Sequence, residues 1–185
     1  MRFPGDRKAR GRAEIVAAAG RLFRAEGFAA TGVDGLMKGA GRTAGTFYSY
    51  FSSKNSLFGA VLAASIEETQ SSLLAGLEGL SGDAWVAEVA RRYLSRAHRD
   101  DPAQGCAMPG LAAEVGRAPE ETRALFEDHV KAFVARIAEN LGETTGATPL
   151  SEEDRALALV ALFVGGIVLA RAVKSKGLSD RILLA

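Results

Sequence analysis

Residues 31–57 read TGVDGLMKGAGRTAGTFYSYFSSKNSL, and this stretch decides the fold. Thr31 is predicted to cap a short helix, because a threonine side-chain oxygen can accept from the free amides of the first helical turn. That helix is predicted to end at Gly41, because glycine readily adopts the left-handed conformation that follows the last helical residue. Thr43 is predicted to cap the next helix, which extends to Tyr50, and Ser52 to start a longer one. The pattern predicts short helices separated by very short turns.

The residues before this stretch predict one further helix. After a loose basic lead, Met1 to Lys8, apolar residues recur at helical spacing and stop at Gly27, which suits a helix C-terminus. These apolar residues are Ile15, Ala18, Ala19, Leu22 and Phe23. Three helices inside about fifty residues, joined by glycine-containing turns, indicate a helix-turn-helix.

The third of these helices is predicted to have two distinct faces. Phe47 and Phe51 lie four positions apart and are expected to pack inward, against Leu22, Phe23 and Leu36. The other face then carries small and hydroxyl-bearing residues and one longer tyrosine, which suit base edges in a major groove: Thr43, Ala44, Gly45, Thr46 and Tyr50. The residues expected to bind phosphates are Thr31, Tyr48 and Lys54, with the amides near Ser52. Each hydroxyl residue is alternatively a plain helix cap, and either tyrosine is alternatively a core aromatic.

The rest of the chain is also predicted to be helical, since no alternating strand pattern occurs. Ser151, with Asp154 three residues later, is expected to cap a strongly apolar helix that runs to about Val173. The other predicted segments are helices at Asp83–Arg99, at Gly105–Val115, from Pro119 onward and after Ser179, and a loop at Gly142–Pro149. The sequence therefore predicts an all-α chain of about nine helices. Residues 1–53 are expected to form a helix-turn-helix domain with a basic arm at 1–8, and residues 54–185 a second helical domain.

Charge is distributed unevenly along the chain. Through Lys54 there are ten Lys or Arg against four Asp or Glu, a net of +6, whereas the later residues have thirteen against eighteen, a net of −5. Such asymmetry is typical of a nucleic-acid-binding segment on an acidic body. A tail effect is the alternative, because half of the early basic residues are Arg2, Arg7, Lys8, Arg10 and Arg12.

Composition narrows the class of protein further. The single cysteine and two histidines give neither an internal disulfide nor a metal framework, so no metal and no cofactor are expected. A lone cysteine suits a reducing cytoplasm, and no apolar signal core follows the basic N-terminus. We therefore expect a cytoplasmic protein.

The stretch at 31–57 resembles the DNA-binding domain of the TetR family of transcriptional regulators. The likeness rests on GTFYSYF at 45–51, on the serine and lysine at 53 and 54, and on AAGRLFRAEGF at 18–28. A weaker likeness to one branch of the family continues through GC at 105–106, LAAE at 111–114 and LSD at 178–180. Gly32 replaces the hydroxyl residue more usual in the family. Arg42 replaces an aliphatic one, and is expected either to contact DNA or to be solvated.

The resemblance implies a homodimeric regulator, usually a repressor, that binds palindromic operator DNA and is released by a small-molecule effector. It implies a four-helix interface between the last two helices of each subunit. It also implies that the helix after the recognition helix moves like a pendulum when the effector binds. The expected partners are double-stranded operator DNA, an effector of unknown identity and a second copy of the chain, without a membrane.

The late apolar helix is the predicted dimer face. Every residue from Ala156 to Ala170 is apolar, between Arg155 and Arg171. Fifteen apolar residues are fewer than the roughly 20 that span a bilayer. A helix that is apolar on all sides must be covered on all sides, by its own domain and by a partner copy, or else wholly within one subunit. The predicted interface residues are Ala158, Ala161, Leu162, Gly165, Gly166 and Leu169.

The effector is expected to bind between helices of the second domain and to be uncharged or lipophilic. The predicted lining residues are Trp85, Tyr93, Cys106, Met108, Phe126, His129 and Phe133. Each of these residues could instead be an ordinary core or surface residue without a ligand contact. Cys106 is either an unreactive buried cysteine or a redox sensor.

Two other classes of function are alternatives to a transcriptional regulator. An enzyme is not expected, since the chain lacks a phosphate-cradling glycine loop, paired carboxylates and a supported Ser/His/Asp set; a Cys106–His129 dyad is the conceivable exception. An architectural DNA binder is the second alternative. It would bind any duplex with similar affinity.

Overall fold

The computed structural model describes residues 4–142 and 150–185, and these form helices and turns without a strand. The all-α prediction is confirmed. In the described residues the α-helices are α1 (Pro4–Glu26), α2 (Val33–Gly39), α3 (Lys54–Leu74), α4 (Gly82–Tyr93), α5 (Arg96–Asp100), α6 (Ala107–Val115), α7 (Glu120–Ala138), α8 (Glu152–Ala172) and α9 (Lys176–Leu184). A 3₁₀ helix, Ala44–Ser49, lies between α2 and α3.

The N-terminal helices differ from the prediction in two details. The lead expected to be loose up to Lys8 is helical from Pro4 onward. Gly32 is the N-cap of α2, not Thr31, because the Thr31 hydroxyl donates back to the Gly27 carbonyl at 2.6 Å. Gly27 itself has φ 91°, as expected of the residue that ends α1.

Two predicted serine caps are displaced along the chain. Ser53, not Ser52, precedes α3, and its Oγ accepts from the Ser56 amide at 3.0 Å. Ser175, not Ser179, caps α9, because Ser179 lies buried inside that helix. Ser52 and Ser53 are adjacent and have the same capping chemistry, so the sequence alone does not distinguish them.

The helix predicted over Asp83–Arg99 is broken in the structure. Helix α4 ends at Tyr93 with Leu94 as its C-cap, and Ser95 caps the separate α5 by accepting from the His98 amide at 3.2 Å. The break turns the end of α5 toward α8, where Arg171 donates to the His98 carbonyl. No glycine or proline marks this break, so its cause is tertiary.

Other predicted boundaries agree more closely with the structure. The Ser151 cap of α8 is confirmed, with its Oγ accepting from the Asp154 amide at 3.0 Å. Pro119 directly precedes α7, and Cys106 is the N-cap of α6, with its Sγ accepting from the Met108 amide at 3.4 Å. The loop predicted at 142–149 lies, from 143 onward, outside the described residues.

The chain packs as two compact units. The first comprises Met1–Ile66 with Pro102–Phe126, and the second comprises Glu67–Asp101 with Glu127–Ala185. The core of the first unit is formed by side chains from α1, α2, the 3₁₀ helix, α3 and α6. Its fully buried members include Ile15, Ala19, Phe23, Leu36, Met37, Phe47, Leu57, Phe58, Leu62 and Leu111.

The second unit has an aromatic core and a buried charge network. Tyr93 packs against Phe163, with ring centroids 5.7 Å apart. Arg99 is 7% exposed and donates to Ser179 Oγ at 2.9 Å and to Asp180 Oδ1 at 2.6 Å. These contacts attach α5 to α9, and the Arg99 guanidinium holds the pKa of Asp180 below its ordinary value.

Helix α8 buries only one of its faces in the single chain. The buried residues recur every three or four positions and are Ala156, Val160, Phe163, Ile167 and Ala170. The opposite face leaves Leu162 at 62% and Leu169 at 57% exposure. By length and composition alone, α8 is also the one helix of the described residues that could cross a membrane.

We expect Phe47→Ala to lower the free energy of unfolding by about 3–5 kcal/mol, because it leaves a cavity in a fully buried core. The neighbouring Tyr48→Ala is the matched control, since Tyr48 is 74% exposed. It should change stability by less than about 0.5 kcal/mol. Urea unfolding followed by circular dichroism makes the comparison, and equal losses in the two variants would contradict the burial of Phe47.

Candidate nucleic-acid interface

The turn between α2 and the 3₁₀ helix is closed by backbone hydrogen bonds. The Arg42 amide donates to the Met37 carbonyl at 2.8 Å, and the Gly41 amide donates to the Lys38 carbonyl at 3.0 Å. This pair of bonds is a Schellman motif, which requires a left-handed residue, and Gly41 has φ 66°. The motif fixes where the chain leaves α2 and enters the 3₁₀ helix.

The inner side of the 3₁₀ helix is aromatic, as predicted. Phe47 is fully buried and Phe51 nearly so, with ring centroids 6.0 Å apart. The Arg12 guanidinium from α1 lies 4.8 Å from the Phe51 ring centroid, an exposed cation on the edge of this core. Phe47 and Phe51 thereby fix the orientation of the helix.

The outer side presents small and hydroxyl-bearing residues to solvent. Thr43, Gly45, Thr46 and Ser49 are exposed, and Ala44 is half-buried. The Thr46 hydroxyl donates to the Thr43 carbonyl at 2.8 Å, and the Ser49 hydroxyl donates to the Thr46 carbonyl at 2.6 Å. Such bonds to the carbonyl three residues back compete with α-helical bonding and accompany the tighter 3₁₀ winding.

The structure places the two tyrosines of this helix differently. Tyr48 is the most exposed aromatic of the described residues, at 74%, with its ring edge-on to Phe47. Tyr50 is half-buried against α1, and its hydroxyl accepts from Arg42 Nη1 at 3.1 Å. Arg42 also forms an ion pair with Glu14 at 2.7 Å, so both Tyr50 and Arg42 are engaged within the chain.

Lys54 is less available than the sequence suggested. Its Nζ donates to the Phe28 carbonyl and lies 4.2 Å from the Phe28 ring centroid. Partial burial lowers the pKa of Lys54, and the nearby Glu114 charge partly opposes that effect. Exposed cations of this unit instead include Arg7, Lys8, Arg10 and Arg12 at the start of α1 and Lys38 at the end of α2, with Arg21, Arg117 and Arg123 elsewhere in the unit.

Sequence reasoning did not assign a role to Glu114, which fastens the turn between α1 and α2. Its carboxylate accepts from the Phe28 amide at 2.7 Å and from the Ala29 amide at 2.8 Å. Gly27 does signal a turn whose amides need acceptors, but the acceptor lies on α6, more than eighty positions later.

The predicted effector residues fall in both compact units. Trp85, Tyr93 and Phe133 are buried and His129 is half-buried in the second unit. The first unit contains buried Cys106 and Met108 and half-buried Phe126.

The predicted dimer residues lie along α8. Ala158, Ala161, Leu162 and Leu169 are exposed. At Gly165 a Cβ would meet no atom within 4 Å, whereas at Gly166 it would lie 2.9 Å from Leu94 Cδ2. Gly166 therefore faces α4 of its own chain, and the other residues face outward.

Comparisons with known proteins agree with this geometry. Residues 15–61 match the family model described as bacterial regulatory proteins, tetR family. An uncharacterized HTH-type transcriptional regulator in the lacX 3′ region of Lactococcus lactis subsp. lactis is 26% identical over 160 residues, covering 84% of this chain and 81% of the relative.

Solved structures share the fold at low sequence identity. A TetR-family transcriptional regulator from Cytophaga hutchinsonii has a TM-score of 0.78 and 20% identity, covering 96% of this chain and 92% of that chain. The reduced form of NemR from E. coli has a TM-score of 0.71 and 24% identity, covering 94% of this chain and 93% of that chain.

We expect glycine substitutions around the turn to have opposite effects. Gly41→Ala should destabilise the protein by about 1 kcal/mol, because alanine is strained at a positive φ. Gly35→Ala should stabilise it by about 0.5–1 kcal/mol, since Gly35 lies inside α2 with nothing within 4 Å of its missing Cβ. Thermal unfolding of both variants tests the turn, and a shift of the same sign would contradict it.

Proposed function

We propose that this chain, a transcriptional regulator of the TetR family with a helix-turn-helix DNA-binding domain, binds a palindromic operator as a homodimer and represses until a small-molecule effector releases it. The observation that carries the proposal is the orientation of the 3₁₀ helix. Its aromatic side is buried by Phe47 and Phe51, and its small polar side is exposed. That arrangement suits insertion into a major groove.

Thr43, Gly45 and Thr46 are the proposed base-reading residues, with Ala44 beside them. Because the Thr46 hydroxyl donates to a carbonyl of its own helix, its methyl group remains available to a thymine methyl. Gly45 has no atom within 4 Å of its missing Cβ, so the backbone can approach the bases closely. Tyr50 and Arg42 are proposed to orient each other beside this face, and to reach DNA from there.

The proposed phosphate contacts flank the reading face. Tyr48 projects an exposed ring and hydroxyl, and a tyrosine hydroxyl is a common phosphate ligand. The exposed cations at the start of α1 and Lys38 at the end of α2 add positive charge to the same unit. Lys54 and Thr31 bond to carbonyl groups of the α1–α2 turn. We therefore propose that they position the helix-turn-helix domain, and that they contribute to phosphate binding through backbone amides of that domain.

Dimerisation is proposed through the exposed face of α8, continued by Leu178 on α9. Leu162 and Leu169 on one chain leave apolar area that needs cover in water. The neighbouring Ala158, Ala161 and Gly165 are small enough to allow close approach of a second α8. A second copy of the chain would therefore cover the apolar face of α8 that the single chain leaves exposed.

The domain division and the effector site remain proposals of the same kind. We propose that residues 1–53 supply the DNA contacts and residues 54–185 the effector and pairing functions. In the second unit, the buried Trp85, Tyr93 and Phe133 suit an uncharged, apolar effector. Cys106 caps α6 and packs in the core, which favours a structural role for its thiol. No enzymatic role is proposed, and a cytoplasmic location follows from the function.

Selection from a random duplex pool should yield one palindromic operator, bound at least about 10³-fold more tightly than random duplex. Thr46→Ala should reduce that ratio about tenfold, because it removes a base contact. Tyr48→Phe should weaken operator and random duplex by the same factor, because phosphates are common to both. Fluorescence anisotropy with labelled duplexes measures all three quantities.

The matched control for these variants is Ser71→Ala, which removes an exposed hydroxyl from the second unit. It should leave both affinities unchanged. Similar affinity of the wild-type protein for every duplex would contradict the proposal and favour an architectural DNA binder.

Leu162→Glu is expected to convert a dimer into a monomer, because it places a charge at the centre of the apolar α8 face. Sedimentation or light scattering measures the mass, and operator affinity should fall with it. Leu80→Glu is the control, since Leu80 is an exposed leucine outside α8. A monomeric wild type, or wild type that floats with lipid vesicles, would contradict pairing through α8.

A further inference from the structure

Helix α6 is built into the DNA-binding unit, although it is far from that unit's other helices in sequence. Its Leu111 is fully buried in the core of the first unit. At Gly110 a Cβ would lie 3.6 Å from the Arg24 carbonyl oxygen, so α6 packs directly on the backbone of α1. One turn further along α6, Glu114 faces the end of α1.

Glu114 accepts hydrogen bonds from two backbone amides that lie between α1 and α2 and have no acceptor within either helix. The Phe28 and Ala29 amides follow the left-handed Gly27 at the end of α1, and both donate to the Glu114 carboxylate, at 2.7 and 2.8 Å. Hydrogen bonds to a charged acceptor are about twice as strong as neutral ones. The pair of bonds fixes both the position and the tilt of the turn, which a single bond would not.

Other side chains hold the same turn from its remaining sides. Lys54 donates to the Phe28 carbonyl, and the Phe28 ring stacks on Phe58 at 4.3 Å between centroids. Arg24, in the last turn of α1, donates to the Ala103 carbonyl and, at 2.8 Å, to Ser65 Oγ, and so fastens the end of α1 rather than the turn itself. Glu114 is the acidic residue among these attachments, and the one whose bonds reach the turn from α6.

We propose that Glu114 is a positioning residue for operator recognition, a role that rests on the proposed function. Helix α2 begins at Val33, four positions after Ala29, and the 3₁₀ helix packs against α2. By holding the α1–α2 turn, Glu114 sets where α2 and the reading face lie on α1. Residues 102–126 thereby control operator affinity without touching DNA.

The test compares Glu114→Ala, Glu114→Gln and the control Glu26→Gln, which removes a charge from an exposed site on α1 near the same turn. Electrostatics alone predicts that loss of any carboxylate strengthens binding to every duplex, because it reduces repulsion from phosphates. Positioning predicts the opposite sign. Glu114→Ala should weaken operator binding about tenfold and reduce the preference over random duplex, the effect of losing a charged hydrogen bond.

Glu114→Gln should fall between wild type and Glu114→Ala, since one amide oxygen can still accept. Glu26→Gln should bind operator as well as wild type or slightly better. Operator affinity of Glu114→Ala that equals the Glu26→Gln value would overturn the proposal.

Amide hydrogen exchange separates positioning from a merely structural role. In Glu114→Ala the Phe28 and Ala29 amides should lose at least about tenfold of their protection, while α1 amides keep theirs and Tm changes little. Retained protection at those two amides, or lost protection throughout α1, would overturn the proposal.

If the wild type shows no sequence preference, the proposed function fails and this inference with it. If the wild type prefers its operator and Glu114→Ala prefers it to the same degree, only this inference fails.

Discussion

Burial of Phe47 and Phe51 is the constraint on which the proposed DNA-binding role of this protein depends. Phe47 on the short 3₁₀ helix and Phe51 just after it leave that helix a single orientation in which both side chains are covered. That orientation exposes Thr43, Gly45 and Thr46 together. The chemistry of the outer face thus follows from hydrophobic burial on the inner one, since a short helix with few backbone bonds of its own has little other means of fixing its rotation.

The proposed reading face also has to be held at a fixed place, and two kinds of contact achieve this. The Schellman turn at Gly41 fixes the 3₁₀ helix relative to α2 through the backbone alone. Side chains fix α2 relative to α1, through Thr31, Lys54 and the distant Glu114. The backbone contacts are local in sequence, whereas the side-chain contacts include Glu114 on α6. Helix α6 accordingly packs in the first unit, although in the sequence it lies between the two segments of the second unit.

The second unit combines a closed interior with an open apolar face. Arg99, Ser179 and Asp180 form a buried polar network in which each charge has a partner, so α5, α8 and α9 are tied in one arrangement. Outside that network, α8 exposes Leu162 and Leu169 to solvent. A helix fixed on one side by such contacts offers its other side as a rigid surface for the proposed pairing with a second copy, and a rigid surface loses less conformational entropy on binding.

The amino-acid sequence by itself determined the helical class, the helix-turn-helix pattern, the buried aromatic pair and the apolar character of α8. These features depend on residue spacing and on glycine or proline signals, which act over a few positions. Only the tertiary structure decided that α4 and α5 are separate, that Gly166 faces inward, that Tyr50 and Lys54 are engaged within the chain and that Glu114 binds the α1–α2 turn. Several of those outcomes depend on a partner that is distant in the sequence, 26 positions away for Lys54 and 86 for Glu114. A contact across such a separation leaves no periodic trace in the sequence.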